Sequence, residues 1–402
     1  MKYAHLADLH LGSWREPKMR ELSTKAFLTA IDQCIAEQVD FVLFAGDLFN
    51  TALPALDILK TATKKLKELK DKGIPLYVIA GSHDFSPSGK TMIDVLENAG
   101  LLVNVCKGEV DPATKLLKLK FTVDQKTDAK ITGILGRKGQ LDKTYYENLE
   151  RMSLEQESGY KIFMFHTTLS ELKPKHLDKI ESQPASFLPK GFSYYAGGHI
   201  HHPTKIFLAG YGPLTYTGSL FPTNFPEMEK YGQGGYYLID NEEIKFIPLR
   251  IMPSLSLILD CNNNNPENIK HEIINYFTEK DLKDQIITIR LRGSLKNGRV
   301  ADISFQEIYR ELYGKGAYFI MKNTTKLFSE EYEEIKLAET NQETVEEEII
   351  KEHLQQIKTF DQEKEFNITK LMLNILNTTK KEGETSTTFQ QRILDEMSKM
   401  IN

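Results

Sequence analysis

Five short apolar runs in this chain each end in residues able to hold a metal ion. Lys2–Ala7 ends at Asp8-Leu9-His10, Phe41–Ala45 at Gly46-Asp47, and Leu76–Ala80 at Gly81-Ser82-His83-Asp84. Ile162–Phe165 ends at His166, and Tyr194–Ala196 runs into Gly197-Gly198-His199-Ile200-His201-His202. Imidazole and carboxylate together suit manganese, iron or zinc, and the lack of cysteine in the set argues against a structural zinc site. Two aspartates and at least four histidines are more than one ion requires. A pair of cations ~3.5–4 Å apart sharing one carboxylate clamps a phosphoryl group and generates hydroxide at neutral pH. Asp47, isolated after its run and preceded by a glycine that allows close backbone approach, is the natural bridging carboxylate. Asp-x-His and His-x-His put both ligands on one side of an extended segment.

Residues spread over nearly 200 positions converge only if the runs are strands of one architecture. Between them lie helix-like stretches, Met19 to Glu37 with Leu22, Phe27, Ile31 and Ile35 at helical spacing, and Leu56 to Lys72. This alternation is the signature of an α/β layered domain, in which ligands gather at the carboxyl ends of strands. Glycines punctuate Leu208–Gly212 and Tyr231–Gly235, and Tyr236–Ile239 and Ile244–Leu249 read as closing strands. After Pro253 the character changes. Ser256–Asp260, a helix over Glu267–Phe277, the alternating Ile287 to Arg292, a helix near Ile303–Leu312 and Tyr318–Lys322 make a second, smaller strand–helix–strand–helix–strand unit. Three apolar stripes follow: Val345, Ile349, His353, Leu354, Ile357 and Phe360; Ile368, Leu371, Met372, Ile375 and Leu376; Phe389, Ile393, Leu394, Met397 and Ile401. Each fits a helix that needs something to pack against.

With 402 residues, 40% hydrophobic and 27% charged, the chain reads as two or three folded domains. Its net charge of −5 comes from one place: ten glutamates from Glu330 to Glu352, with only Lys336 and Lys351 among them. Such a block stays solvated and reads as a linker. The remainder is near neutral, which neither demands nor forbids a polyanionic substrate, because bound cations can supply the local positive charge. Cys34, Cys106 and Cys261 are odd in number and widely spaced, so neither a disulfide framework nor a zinc knuckle is indicated. No apolar run approaches the ~18–20 residues that span a bilayer and no secretory signal pattern is seen, so the expectation is a cytoplasmic protein without a membrane partner.

DLH, GDLFN, GSHD, a lone histidine and GHIHH, in that order, resemble the calcineurin-like metallophosphoesterases. HLADLHLG, the GDLF element, YTGS at Tyr216–Ser219 and the appended small domain narrow the resemblance to the SbcD-type nuclease of DNA double-strand-break repair. The resemblance implies a layered β-sandwich flanked by helices (1–250), a small α/β capping, DNA-binding domain (251–328), an acidic linker (329–352) and a helical segment (345–402) that binds an SMC-like ATPase. It implies two Mn²⁺ ions, the first held by Asp8, His10, Asp47 and His201, the second by Asp47, Ser82, His166 and His199. His83 would be the catalytic residue at the scissile phosphate, with Asp84 orienting it, and a bridging hydroxide would attack phosphorus. The implied activity is 3′-to-5′ exonuclease with single-strand endonuclease action on DNA, in a homodimer. Two positions depart from the commonest pattern: Ser82 stands where Asn is usual, and Asn50 where several members carry a second histidine.

Two other readings use the same residues. A cyclic-nucleotide or small-phosphoester hydrolase needs the ligands but leaves the second domain and the C-terminal stripes without a job. A non-catalytic scaffold would have lost activity through Ser82 and Asn50, and the retention of His83 and the later histidines speaks against it. His5, His176, His202, His271 and His353 lie off the pattern and read as structural. Arg290, Arg292, Lys296 and Arg299 could touch DNA phosphates or simply form a solvent face.

Overall fold

The computed structural model describes residues 1–86, 89–137, 141–173, 181–329, 347, 350–351, 361–381 and 384–401. The chain divides into two compact units, Met1–Glu330 and Glu331–Asn402. In the first, two six-stranded sheets face each other. The strands in chain order are β1 (Lys2–Leu6), β2 (Phe41–Ala45), β3 (Leu76–Ile79), β4 (Val103–Asn104), β5 (Gly108–Val110), β6 (Leu117–Leu119), β7 (Thr122–Val123), β8 (Lys130–Ile134), β9 (Lys161–His166), β10 (Tyr194–Gly198), β11 (Thr204–Ile206), β12 (Leu214–Tyr216), β13 (Gly234–Asp240) and β14 (Glu243–Leu249). One sheet runs β14-β13-β1-β2-β3-β4, the other β11-β12-β10-β9-β8-β7, and β5-β6 form a separate ribbon.

The central strands are apolar throughout because both of their faces are covered. In β2, Phe41, Leu43 and Ala45 point between the sheets with Tyr3, Ile162, Met164 and Tyr194. Val42 and Phe44 point the other way, onto α1 (Pro17–Ala36) and α2 (Leu56–Asp71). Helix α1 starts at a proline and buries Met19, Leu22, Ala26, Phe27, Ala30, Ile31 and Cys34, a stripe at three- and four-residue spacing. The shorter α3 (Met92–Asn98) is capped by Thr91, whose hydroxyl accepts from the Ile93 amide at 3.0 Å. On the far side of the second sheet, Phe163 and Phe165 of β9 pack with Tyr146 of α4 (Lys143–Glu147) and Leu154 of α5 (Met152–Gln156).

Strands β1, β2 and β3 are mutually parallel, as are β8, β9, β10 and β12, so each sheet sends its carboxyl ends toward one rim. The sequence pattern did not single out β8, whose Lys-Ile-Thr-Gly-Ile is short, interrupted by glycine and followed by none of the ligand types. At the rim the sheets meet closely. A Cβ on Gly198 would lie 2.1 Å from the Ala45 carbonyl oxygen, and one on Gly46, whose φ is +92°, would lie 2.2 Å from His166 Nδ1. Only hydrogen fits at either position.

Past α6 (Phe225–Tyr231), residues 254–329 form a parallel sheet of β15 (Ser254–Asp260), β16 (Ile286–Leu295) and β17 (Phe319–Ser329) in that order. Helices α7 (Pro266–Thr278) and α8 (Phe305–Gly314) cover one face, around Ile269, Ile273, Phe277, Ile289, Leu291, Ile308 and Leu312. Ile286, Phe319 and Met321 belong instead to the apolar cluster outside the first sheet. Of the basic set in this region, Arg290 is taken up in an ion pair and Arg299 pairs with Asp302, whereas Arg292 is exposed.

In the second unit, α9 (Gln362–Leu376) begins at Asp361, which accepts from the Lys364 amide at 2.9 Å, and α10 (Ser386–Ile401) follows it. Leu371, Leu376 and Leu394 are exposed on these helices. The acidic block, apart from residues 347, 350 and 351, and the stripe from Val345 to Phe360 lie outside the described residues, as does His176.

Candidate metal centre

At the meeting of the two rims, Asp8, His10, Asp47, His83, His166 and His201 form three overlapping trios: Asp8–His10–His201, His10–Asp47–His83 and Asp8–Asp47–His166. Within each trio one potential ligand atom per residue lies within 4.8 Å of the others. His10 Nε2 is 3.0 Å from His201 Nε2 and 3.6 Å from Asp47 Oδ2, and His201 Nε2 is 3.7 Å from Asp8 Oδ1. His199 stands outside the trios, with its ring centroid 5.2 Å from that of His166 and its amide donating to both Asp8 carboxylate oxygens. Ser82 is buried, its hydroxyl 3.5 Å from Asp47 Oδ2.

The backbone is bent to bring these groups together. Asp8, His10, Asp47 and His199 all have positive φ, at 51°, 43°, 53° and 90°, a conformation costing about 1–3 kcal/mol each in non-glycine residues. The Asp8 amide donates to Gly46 O at 3.1 Å and the His10 amide to Asp47 O at 3.0 Å, which holds the turns after β1 and β2 against each other. Asp84 accepts from the amides of Asp47, Phe49 and Gly81 at 3.0, 3.3 and 2.8 Å. This corrects the expectation that it orients His83. Its carboxylate ties the two turns together, while His83 Nδ1 faces the Asn50 carbonyl at 2.8 Å.

Partner chemistry fixes the tautomers. A carbonyl can only accept, so His83 and His166, whose Nδ1 atoms face Asn50 O and Ala45 O, carry their protons there and turn Nε2 inward. His201 Nδ1 lies 2.8 Å from Glu227 Oε1 and is fixed the same way by a carboxylate. Glu227, on α6, was not singled out in the sequence. It lies 26 residues beyond His201, and only the fold brings the two together. The inward-facing nitrogens then provide the test of fit. His166 Nε2 is buried without a hydrogen-bond partner although Asp47 Oδ2 is 3.2 Å away. With Nδ1 protonated toward Ala45 O, the neutral ring would face Asp47 acceptor to acceptor, so a positive charge, a proton or a metal ion, belongs between them, and the donor set of imidazole nitrogens and carboxylate oxygens is one that divalent transition metals accept.

Charge in the metal-free cluster follows the same geometry. Burial lifts Asp8 to about 6 against the pull of His201 and His166. Burial also opposes ionisation of Asp47, but His166 and His10 and the His83 amide outweigh it and hold its carboxyl well below the usual range. His10 and His199 are pushed down to about 3, chiefly by burial. Burial works against charge on His201 too, yet the bond to Glu227 and the Asp8 carboxylate raise it to about 9. His166 is likewise raised by Asp47 against its burial. Protons thus occupy the places where cations would sit.

The profile of the family described as Calcineurin-like phosphoesterase matches residues 1–203, half of the chain. The chain belongs to that family. Among curated proteins it is similar to the DNA double-strand break repair protein Mre11 of Archaeoglobus fulgidus, 26% identical over 78% of this chain and 75% of that protein. The DNA double-strand break repair protein Mre11 of Sulfolobus acidocaldarius is 29% identical over 94% of this chain and 95% of its own length. An uncharacterized metallophosphoesterase, YhaO of Bacillus subtilis, is 28% identical over 60% of this chain and 57% of that protein. As a family member the chain is a metal-dependent phosphoesterase with a mixed α/β fold of sheets flanked by helices. No helix among the described residues is long and apolar enough to cross a membrane.

The remaining histidines have other surroundings. His5 is buried between the sheets with Nδ1 3.0 Å from the Tyr194 hydroxyl, His202 stacks on Tyr231 at 5.4 Å, and the exposed His271 pairs with Glu267.

Proposed function

We propose that this phosphoesterase is a DNA nuclease of double-strand-break repair, removing nucleotides from the 3′ end of duplex DNA and cutting single strands, with manganese as its metal. The observation that carries the reading is the convergence of the five strand ends on one cluster around Asp8, His10 and Asp47. The likeness to the Mre11 protein of Sulfolobus acidocaldarius over 94% of the chain favours DNA over a small phosphoester, because it extends across residues 254–329. A homodimer and an ATPase partner bound through the C-terminal helices belong to the same proposal, and the exposed leucines of α9 and α10 support the second.

One ion would be held by Asp8, His10, Asp47 and His201, the other by Asp47, Ser82, His166 and His199. When bound, such a pair supplies Lewis acidity to the phosphoryl oxygens and lowers the pKa of water at the site. Asp47 would serve both positions, and what supports this is that its Oδ2 faces His10 at 3.6 Å and His166 at 3.2 Å, one from each set, while Oδ1 accepts from the His83 amide at 2.7 Å. His83 acts on the substrate. Its ring, edge-on to that of His10 at 4.9 Å, is less buried than the ligand rings of His10 and His166, and its inward Nε2 is free to hold a proton at the oxygen that leaves phosphorus.

The test follows 3′-labelled and 5′-labelled duplex DNA with manganese, magnesium or chelator, comparing the chain with His83→Ala. The expected result is manganese-dependent loss from the 3′ end, reduced by at least ~10²-fold in the variant. DNA that survives with manganese bound and the ATPase partner present overturns the nuclease reading. Hydrolysis of a chromogenic monoester under the same conditions then supports the small-phosphoester alternative.

A further inference from the structure

Helix α6 is seven residues long and carries two glutamates with different attachments. Glu227 holds the metal centre. Besides His201 Nδ1, its carboxylate takes the Thr223 amide at 2.8 Å and the Ser219 hydroxyl at 3.2 Å. Glu229, two residues on, holds the third sheet. Arg290 of β16 donates Nε to both of its oxygens at 2.8 and 3.0 Å, and the guanidinium lies 5.0 Å from the Phe225 ring of the same helix.

The remaining contacts fix the helix on that side as well. The Ser256 hydroxyl of β15 donates to Glu229 O at 3.1 Å and receives the Thr288 hydroxyl of β16 at 2.8 Å. Met228, between the two glutamates, is fully buried in the apolar cluster that also contains Ile286 of β16. The side chains of Arg290 and Glu229 are only 18% and 13% exposed, so this pair is shielded in a way that an open surface pair is not. Asn224 caps the helix by accepting from the Glu227 amide at 3.0 Å, so the glutamates, about 3 Å apart along the axis, move as one body.

We propose that the Arg290–Glu229 pair is a positioning element of the metal centre: by clamping α6 to the third sheet it fixes Glu227, and through Glu227 the His201 imidazole. The proposal rests on reading His201 as a metal ligand. Its consequence is that the sheet of residues 254–329 is part of the metal site's support, and a load placed on that sheet reaches His201 through α6.

The experiment titrates the metal-stripped full chain with manganese alone by calorimetry, with thermal unfolding recorded for every variant. Glu229→Gln with Arg290→Met removes the pair without stranding one charge. The affinity of one ion is expected to fall about 3–10-fold, below the 10–100-fold typical of losing a direct ligand partner. Lys270→Met breaks an ion pair between α7 and α8, away from α6, and is expected to leave affinity unchanged. In a Glu227→Gln background the Glu229/Arg290 change is expected to add no further loss, because the route to His201 is already cut. Wild-type affinity in the double variant, an equal loss in Lys270→Met, or full additivity with Glu227→Gln each overturns the coupling. Should the double variant fail to fold, Ser256→Ala carries the same comparison and must show a smaller loss that disappears in the Glu227→Gln background. A wild-type chain that binds no manganese removes the metal reading itself, which is distinguishable from normal binding without coupling.

Discussion

His166 and His201 both turn an Nε2 toward the carboxylate cluster, but one is held by main chain and the other by a side chain. His166 is fully buried, bonded to the Ala45 carbonyl, and enclosed where Gly46 and Gly198 let the two sheets touch. His201 is about a quarter exposed and answers to Glu227 on a short helix. Main-chain carbonyls between close-packed strands cannot shift without moving a sheet, whereas a carboxylate on a helix can shift with that helix. The His166 side is therefore the rigid half of the centre, and the His201 side is the half whose geometry the rest of the molecule can adjust.

The largest effect that would break this comparison comes from the rigid half. Gly198→Ala places a methyl group 2.1 Å from a backbone oxygen that has nowhere to go. The expected cost is at the upper end of the ~1–3 kcal/mol typical of overpacking, seen as a lowered Tm, together with loss of one bound ion. Glu227→Gln addresses the adjustable half, and the pattern should invert. Manganese affinity falls about 10–100-fold with a smaller loss of Tm than Gly198→Ala causes, because the amide keeps the size but not the charge that orients and protonates His201. If Glu227→Gln unfolds the chain while Gly198→Ala is tolerated, the division into rigid and adjustable halves is wrong.

Acidity sharpens the comparison. In the metal-free chain His201 is raised to about 9, and His166 is raised as well, so both rings carry protons at neutral pH. A histidine raised on folding stabilises the fold fully below its unfolded value of about 6.5, and that contribution is lost as pH climbs through the folded value. The metal-free chain should therefore lose stability as pH rises from about 7 through 9, where His201 gives up its proton, and on through 10, where His166 does. Metal binding must expel the same protons, so affinity should move the opposite way, gaining up to about tenfold per pH unit for each proton released and levelling off only above pH 10, where His166 too is neutral. Manganese titrations at several pH values, in buffers of different ionisation enthalpy, count the protons. Affinity independent of pH between 7 and 9 would mean that the imidazoles are already neutral.

The cluster of Asp8, His10, Asp47, His83, His166 and His201 was legible in the sequence because each member follows an apolar run, and parallel strands deliver their carboxyl ends to a common rim. What sequence could not reach is the support beneath it. Glu227 is one glutamate among many until α6 is packed against His201. The family resemblance implied that Asp84 steadies His83, yet a tight turn points the carboxylate back at three amides, and the Asn50 carbonyl takes the imidazole instead. The α/β class was visible in the alternation of runs, but β8 and the short strands around it were not, because a glycine-interrupted pentapeptide has no periodicity to read. Arg290 looked like one residue of an exposed basic strand, and only the docking of β16 against α6 shows it turned inward.

The smallest expected effect lies at Ser82, on the rigid side, and it tests how completely that half is built. Its hydroxyl is 3.5 Å from Asp47 Oδ2, at the limit of a hydrogen bond, and a hydroxyl is a weaker metal ligand than an amide carbonyl. Ser82→Asn adds that carbonyl to a buried position, where the extra volume works against it. If the His166 half is as fixed as its glycine contacts imply, the gain is confined to the second ion, a few-fold in affinity at most, with the first ion unchanged; calorimetric titration resolves the two. A change in the first ion's affinity instead would mean that Asp47 transmits movement between the halves, and the contrast between His166 and His201 would then describe their surroundings but not their behaviour.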